Sequence, residues 1–205
     1  SRRHTKWCGD VIRKGDFGEA PGGEIGEALA DIEQGADRMI SLVNDYLTVS
    51  RVEQGRFKIK RSKTDVVAVI KAVFDSVKVT VKNRPVEMTL RVGEGIPEVM
   101  VDGAKIGQVL TNLLDNALKH TEKGVVAIEM RRANDDRLVV SVSDTGSGID
   151  VDDVPHVFDR YFRGKVGEVA AGRGGGLGMG LHIVKKIIEI YTIMKLYLLH
   201  ILLAK

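Results

Sequence analysis

Two asparagines stand four residues apart in the stretch "NLLDNALKHT", residues 112–121, with a lysine and a histidine one turn later. On a helix of 3.6 residues per turn, Asn112, Asn116 and Lys119 share one face and His120 stands at its border. Ile106, Leu110, Leu113 and Ala117 make the neighbouring face apolar, as a core-packed helix requires. A solvated polar flank explains this pattern as readily as a ligand site does. A second cluster, "DTGSGI", follows a strand-like run at residues 144–149. Asp144 offers two acceptor oxygens, suited to an exocyclic amino group such as that of adenine. Gly146 and Gly148 let the backbone turn sharply and let a flat ligand approach, and Ile149 could floor it. An ordinary Asp-Thr-Gly turn would read the same way.

A third cluster is a glycine run. Gly172, Gly174, Gly175, Gly176, Gly178 and Gly180 crowd together, interleaved with Leu177 and Met179, and lead into the amphipathic "LHIVKKIIEI". Backbone N–H groups at a helix start, with no Cβ in the way, can cradle phosphate with the help of the helix dipole. A flexible linker is the alternative, and a glycine run alone does not decide between them. Between the second and third clusters lies "VFDRYFRG", residues 157–164. Arg160 and Arg163 are candidates to meet a terminal phosphate, while Phe158, Tyr161 and Phe162 could pin a loop. A surface aromatic turn would account for them too.

These clusters need elements to hold them. The spacing predicts a helix beginning near Asp102 for the asparagines, and strands at "VEMTLRV" (86–92), "GVVAIEMRR" (124–132) and "RLVVSVS" (137–143), the last two joined by "ANDD". "FKIK" (57–60) reads as a short strand, and Val66, Val69, Ile70, Val73, Phe74 and Val77 recur at helical spacing, capped by Thr64 or Asp65. The expected fold is α+β: a two-layer sandwich with helices on one face of a partly antiparallel sheet. Upstream, Ile25, Leu29, Ile32, Ala36, Met39, Val43, Tyr46 and Ser50 fall at 4-3 spacing, a coiled-coil or bundle seam over about residues 24–53 that needs a partner.

Composition sets limits. The 205 residues are 43% hydrophobic with a net charge of +3, both signs interspersed, which gives no electrostatic case for nucleic acid. Cys8 is the one cysteine, so there is no internal disulfide framework, and a reducing compartment fits. The closing "IYTIMKLYLLHILLAK" is apolar, but Lys195 and His200 interrupt it before the roughly 20 residues of a membrane helix.

Taken together and in this order, the clusters resemble the ATP-binding domain of bacterial sensor histidine kinases, with its asparagine box, first glycine box, phenylalanine box and second glycine box. The resemblance spans about residues 24–190. It implies a partial dimerisation and phosphotransfer region over 1–56, an ATP-binding catalytic domain over 57–190 and an atypical tail over 191–205. "ADRMISLVNDYLTVSRVEQGRFKI" looks like the second helix of the family's dimerisation hairpin, and "GDFGEAP" like the hairpin tip. It also implies roles. Asn116 would ligate Mg²⁺ through its side-chain oxygen, with Asn112 close to the metal and phosphates. Lys119 would contact phosphate, and His120 would lie near the nucleotide. Asp144, with Gly146 and Gly148 beside it, would bind adenine. Arg163 would belong to the lid, bordered by Gly176, Leu177, Gly178 and Gly180. ATP and Mg²⁺ are the implied cofactors, and a homodimer through 24–53 and a response-regulator receiver domain the implied partners. The implied setting is the cytoplasm, where the domain could be the inner portion of a membrane-anchored sensor.

ATP hydrolases that share the fold carry a glutamate four residues before the metal-binding asparagine. Here that position is Asn112, which cannot accept a proton at neutral pH. Phosphotransfer to a histidine is therefore the expected chemistry. A non-catalytic nucleotide-binding or dimerisation module, or less readily a hydrolase, remains the alternative. Two departures from the family qualify it. His4 is followed by threonine, not by the acid and later proline of a family acceptor, so no histidine of this chain is expected to accept phosphate. "YTIMKLYLLHILLAK" replaces the family's last two strands and the Gly-Thr whose hydroxyl supports the adenine-binding aspartate. A chain truncated or frame-shifted at both ends would explain these differences.

Overall fold

The computed structural model describes residues 23–133, 138–164, 178–193 and 203–204. The chain divides into two compact units, with the break between Arg51 and Val52. The first unit is made by α1 (Gly23–Glu53), whose last residues run past that break. Of the residues at the predicted seam, Ile32, Met39, Val43 and Tyr46 are exposed, at 66, 64, 57 and 53% of their free area.

The second unit contains β1 (Ser62–Thr64), α2 (Val66–Thr80), β2 (Val86–Val92), β3 (Val99–Val101), α3 (Gly103–His120), β4 (Gly124–Arg132), β5 (Leu138–Asp144), a 3-10 turn (Val154–His156), α4 (Gly180–Ile193) and β6 (Leu203–Ala204). Strands β1 and β3 form an antiparallel pair. The main sheet has the order β2-β4-β5-β6, parallel at β2/β4, antiparallel at β4/β5 and parallel at β5/β6. Helix α3 packs against α2 and α4 and touches β4 and β5. This is the expected helices-on-sheet sandwich.

The helix starts follow from capping. Asp65, not Thr64, caps α2, its Oδ1 accepting from Ala68 N–H at 3.0 Å. Asp102 caps α3 by accepting from Lys105 N–H at 3.2 Å, and its other oxygen accepts from Lys60 N–H at 2.9 Å. Tyr191, in α4, accepts the Asp102 backbone N–H through its hydroxyl at 3.0 Å. One buried acid thus fixes where the asparagine helix begins, and two distant segments hold that acid in place. The core lies between α3 and the sheet. Leu110, Leu113 and Leu114 are buried against a strand face made by Val126, Ile128, Met130, Val140 and Val142.

Two expectations change. Residues 57–60 are not a strand; pairing starts at Ser62, because Lys60 spends its N–H on Asp102 rather than on a neighbouring strand. The apolar tail was expected to lack any strand, yet Leu203 and Ala204 pair in parallel with Val142 and Ser143. The open edge of β5 offers backbone donors and acceptors that an apolar segment can meet there. Residues 1–22, which include His4 and "GDFGEAP", lie outside the described residues, as do 134–137 of the "ANDD" connection and most of the tail.

Candidate nucleotide site

The asparagine helix buries Ile106, Val109, Leu110, Leu113, Leu114, Ala117 and Leu118, which leaves Asn112, Asn116, Lys119 and His120 along its flank. Asn112 is placed by a direct bond: its Nδ2 donates to the carbonyl of Gly180 at 3.2 Å. Gly180 is the first residue of α4, so the asparagine flank lies beside the start of that helix. The orphan N–H groups and positive end of the helix dipole face the same region as the carboxamides.

The other end of the site is built on β5. Leu138, Val140 and Val142 alternate into the core, and the same alternation puts Asp144 on that face, opposite Val126. Its carboxylate therefore sits under the end of α3. Gly146 N–H donates to Asp144 Oδ1 at 2.8 Å, and Ser147 N–H donates to the carbonyl of His120 at 3.2 Å. A Cβ at Gly146 would collide with that carbonyl, so only glycine lets the first glycine turn dock on the helix end. Gly148 and Ile149 follow, half-buried.

Charge gathers between these ends. Burial lowers the Lys119 ammonium below its ordinary value, and the Arg163 guanidinium nearby lowers it further. Burial also lowers the His120 imidazole, Lys119 adds to this, and Asp144 opposes both. Two cations near one another at the last turn of α3 make a place for a polyanion, and a neutral imidazole beside them suits a ring stacked near a base.

Gly178 carries φ +68 and packs against the backbone of Tyr161 and Phe162, where a Cβ would clash with the Phe162 carbonyl. His182 reaches the carbonyl of Phe158 with Nδ1 at 3.0 Å. Gly178 and His182 are therefore packed on the phenylalanine cluster. Arg160, the other phosphate candidate, donates to Glu53 at 2.8 Å, and its guanidinium lies over the Tyr161 ring at 4.6 Å. Gly176 and Leu177 lie outside the described residues.

Three contributors escaped the sequence reading. Arg84 Nη2 donates to the carbonyls of Leu118 and Thr121, both at 2.8 Å, and closes the C-terminal end of α3. Thr121 and His182 also hold parts of the site. A basic residue that stands 34 positions before the helix end it closes carries no local signal of this kind.

No described group of three His, Cys, Asp or Glu residues could cage a metal. A neutral carboxamide such as Asn116 fits Mg²⁺ that takes most of its shell from phosphate oxygens and water, as that ion prefers.

Residues 101–196 match the family described as histidine kinase-, DNA gyrase B- and HSP90-like ATPase. Over these residues the chain carries a catalytic ATPase domain of the histidine kinase type. Among its relatives, WalK, a sensor histidine kinase of Bacillus subtilis, is 33% identical over 156 residues, covering 75% of this chain and 25% of that protein. KinB, an alginate biosynthesis sensor protein of Pseudomonas aeruginosa, is 29% identical over 167 residues, covering 80% and 27%. The chain thus spans about a quarter of the length of these curated relatives. Full-length ShkA in complex with AMPPNP shares the fold, with a TM-score of 0.71 at 22% identity, covering 93% of this chain and 39% of that one. The histidine kinase AdeS of Acinetobacter baumannii gives 0.62 at 22%, covering 91% and 84%. No described helix is long and apolar enough to cross a membrane.

Proposed function

We propose that this chain binds Mg-ATP across α3, β5 and α4 and delivers the γ-phosphate to a histidine on a dimerisation hairpin, from which it passes to a response-regulator receiver domain. The observation that carries the reading is the Asn112–Gly180 bond, which lines the asparagine flank up with a helix start while Asp144 holds the far end. In this reading Asp144 meets the adenine amino group, and Asn116 supplies one oxygen to Mg²⁺. Lys119 and Arg163 meet phosphate, with the glycines from Gly176 to Gly180 at the phosphate end. Mg²⁺ would neutralise charge developing on the phosphates; the chain's own residues bind, orient and exclude water. The flank offers a carboxamide where a hydrolase needs a base, so water is not activated there. Residues 1–56 serve dimerisation through the α1 stripe, and 57–190 are the catalytic domain. The chain's own histidines do not serve as acceptor: His120 belongs to the nucleotide site, and His156 and His182 are bonded within the domain.

The test is incubation with γ-labelled ATP and Mg²⁺, with and without an added dimerisation hairpin bearing an exposed histidine. Acid-labile, base-stable label on the hairpin, with none on the chain alone, is expected. Steady release of phosphate without the hairpin would make the chain a hydrolase. Nucleotide binding with no transfer to any hairpin would make it a non-catalytic module.

A further inference from the structure

Asp144 is useful to a base only if its carboxylate is aimed, and something must aim it. The side chain best placed to do so is Thr121, the residue that ends α3 and one of two buried polar residues among those described. Its Oγ1 stands 2.8 Å from the carbonyl of Ala117 and 3.5 Å from Asp144 Oδ1. A hydroxyl has one proton and rotates, so the same group can rest on the helix carbonyl or turn to the carboxylate. The bond to an ionised acceptor is the stronger of the two, and bonds that are long without ligand tighten when ligand is bound.

We propose that Thr121 is a positioning residue for the purine: its hydroxyl and Gly146 N–H together hold Asp144 Oδ1, so that Oδ2 is the oxygen presented to the ligand. In the structure Oδ1 accepts from Gly146 N–H at 2.8 Å, and Thr121 Oγ1, 3.5 Å away, becomes a second donor once its proton turns from the Ala117 carbonyl. An oxygen so occupied fixes the plane of the carboxylate. The remaining oxygen can accept from a 6-amino group and repels a 6-oxo group. Selectivity for adenine over hypoxanthine thus depends on a residue that does not touch the base. Thr121 is extended, with φ −106 and ψ 102, a conformation that suits a β-branched side chain. The inference rests on the reading that the base lies at Asp144.

Titration calorimetry of the full chain with ADP and with IDP tests it. Wild type is expected to bind ADP about tenfold or more tightly than IDP, because IDP sets an oxygen against the carboxylate. Thr121→Ser keeps the hydroxyl and should keep the ratio. Thr121→Val keeps the shape, removes the donor, and should weaken ADP about fivefold while leaving IDP unchanged, the worth of one hydrogen bond. Thr121→Cys, a weak donor of similar size, should fall between them and serves if the valine variant does not fold. An ADP-to-IDP ratio unchanged in folded Thr121→Val, or in Thr121→Cys, would make Thr121 a helix cap and nothing more. Wild type that fails to distinguish ADP from IDP, with Asp144→Asn behaving identically, would instead remove the base assignment itself.

Discussion

At the scale of single residues, His120 couples the site to pH. Its imidazole is lowered by burial and by Lys119, so the folded state gives up a proton that the unfolded chain still holds. The sign follows from linkage. As pH falls through the ordinary histidine value of about 6.5, the unfolded chain takes up the proton first and is favoured. The stability present above that value is lost progressively until the pH passes the lower folded value, and then the loss levels off. Urea denaturation of wild type and His120→Gln from pH 8 to 5 should show wild type losing more stability on acidification than the variant. Parallel curves over that range would contradict the shift. Asp144 teaches a different lesson. Its role as an acceptor is suggested by the glycines beside it, but its direction is set by the alternation Leu138, Val140, Val142, Asp144. That alternation makes the acid the last core-facing position of a strand.

At the scale of elements, α3 is a helix whose two ends are held by remote groups. Its start is held by Asp102, Lys60 and Tyr191, and its end by Arg84, Ser147 and Thr121. Arg84 matters most at the end, because one guanidinium satisfies two terminal carbonyls and its charge opposes the negative end of the dipole. Arg84→Met should cost about 1–2 kcal/mol of domain stability. It should also weaken ADP binding, since Lys119 and His120 sit on the turn that is released. Thermal unfolding with calorimetric ADP titration measures both, and an unchanged ADP affinity would show that the turn holds without it. These anchors mark where sequence reading stops. Helix α3, its buried stripe, β2, β4 and β5 are legible because periodicity is local: side chains repeat at 3.6 or at 2. The docking of α3 is not legible, because Arg84 and Tyr191 act on carbonyls and N–H groups far away in sequence. The same limit explains the "FKIK" misreading. Its alternation suits a strand, but Lys60 N–H is committed to Asp102. Arg160 looked like a phosphate ligand by its place between aromatics. Nothing near it in sequence points to Glu53, 107 residues away.

At the scale of the molecule, α1 carries a stripe that is exposed among the described residues. Exposed Ile32, Met39, Val43 and Tyr46 stand seven, four and three residues apart, which keeps them on one side. Each apolar side chain of this size that is buried contributes about 1.5–3 kcal/mol, so a second copy is a natural cover for the stripe. Sedimentation should show concentration-dependent dimers in wild type, and Met39→Asp with Val43→Asp should shift the chain to monomer without altering ADP affinity. A wild type that stays monomeric at high micromolar concentration would remove the seam as an interface.

Strand β5 has hydrogen-bonded neighbours on both edges where Val142 and Ser143 pair, antiparallel to β4 and parallel to β6. Asp144 is the next residue, so the acceptor we propose for the base is moored to backbone that is paired on both edges. Amide exchange at these positions should therefore be as slow as global unfolding, whatever occurs nearer the phosphates. A mooring that does not breathe works as a fixed origin. In the proposed reading, ATP and ADP are set down from the same point and differ only in how far their tails extend toward the start of α4. Substrate and product would then share one address, and the length of the tail would be what the rest of the domain reads.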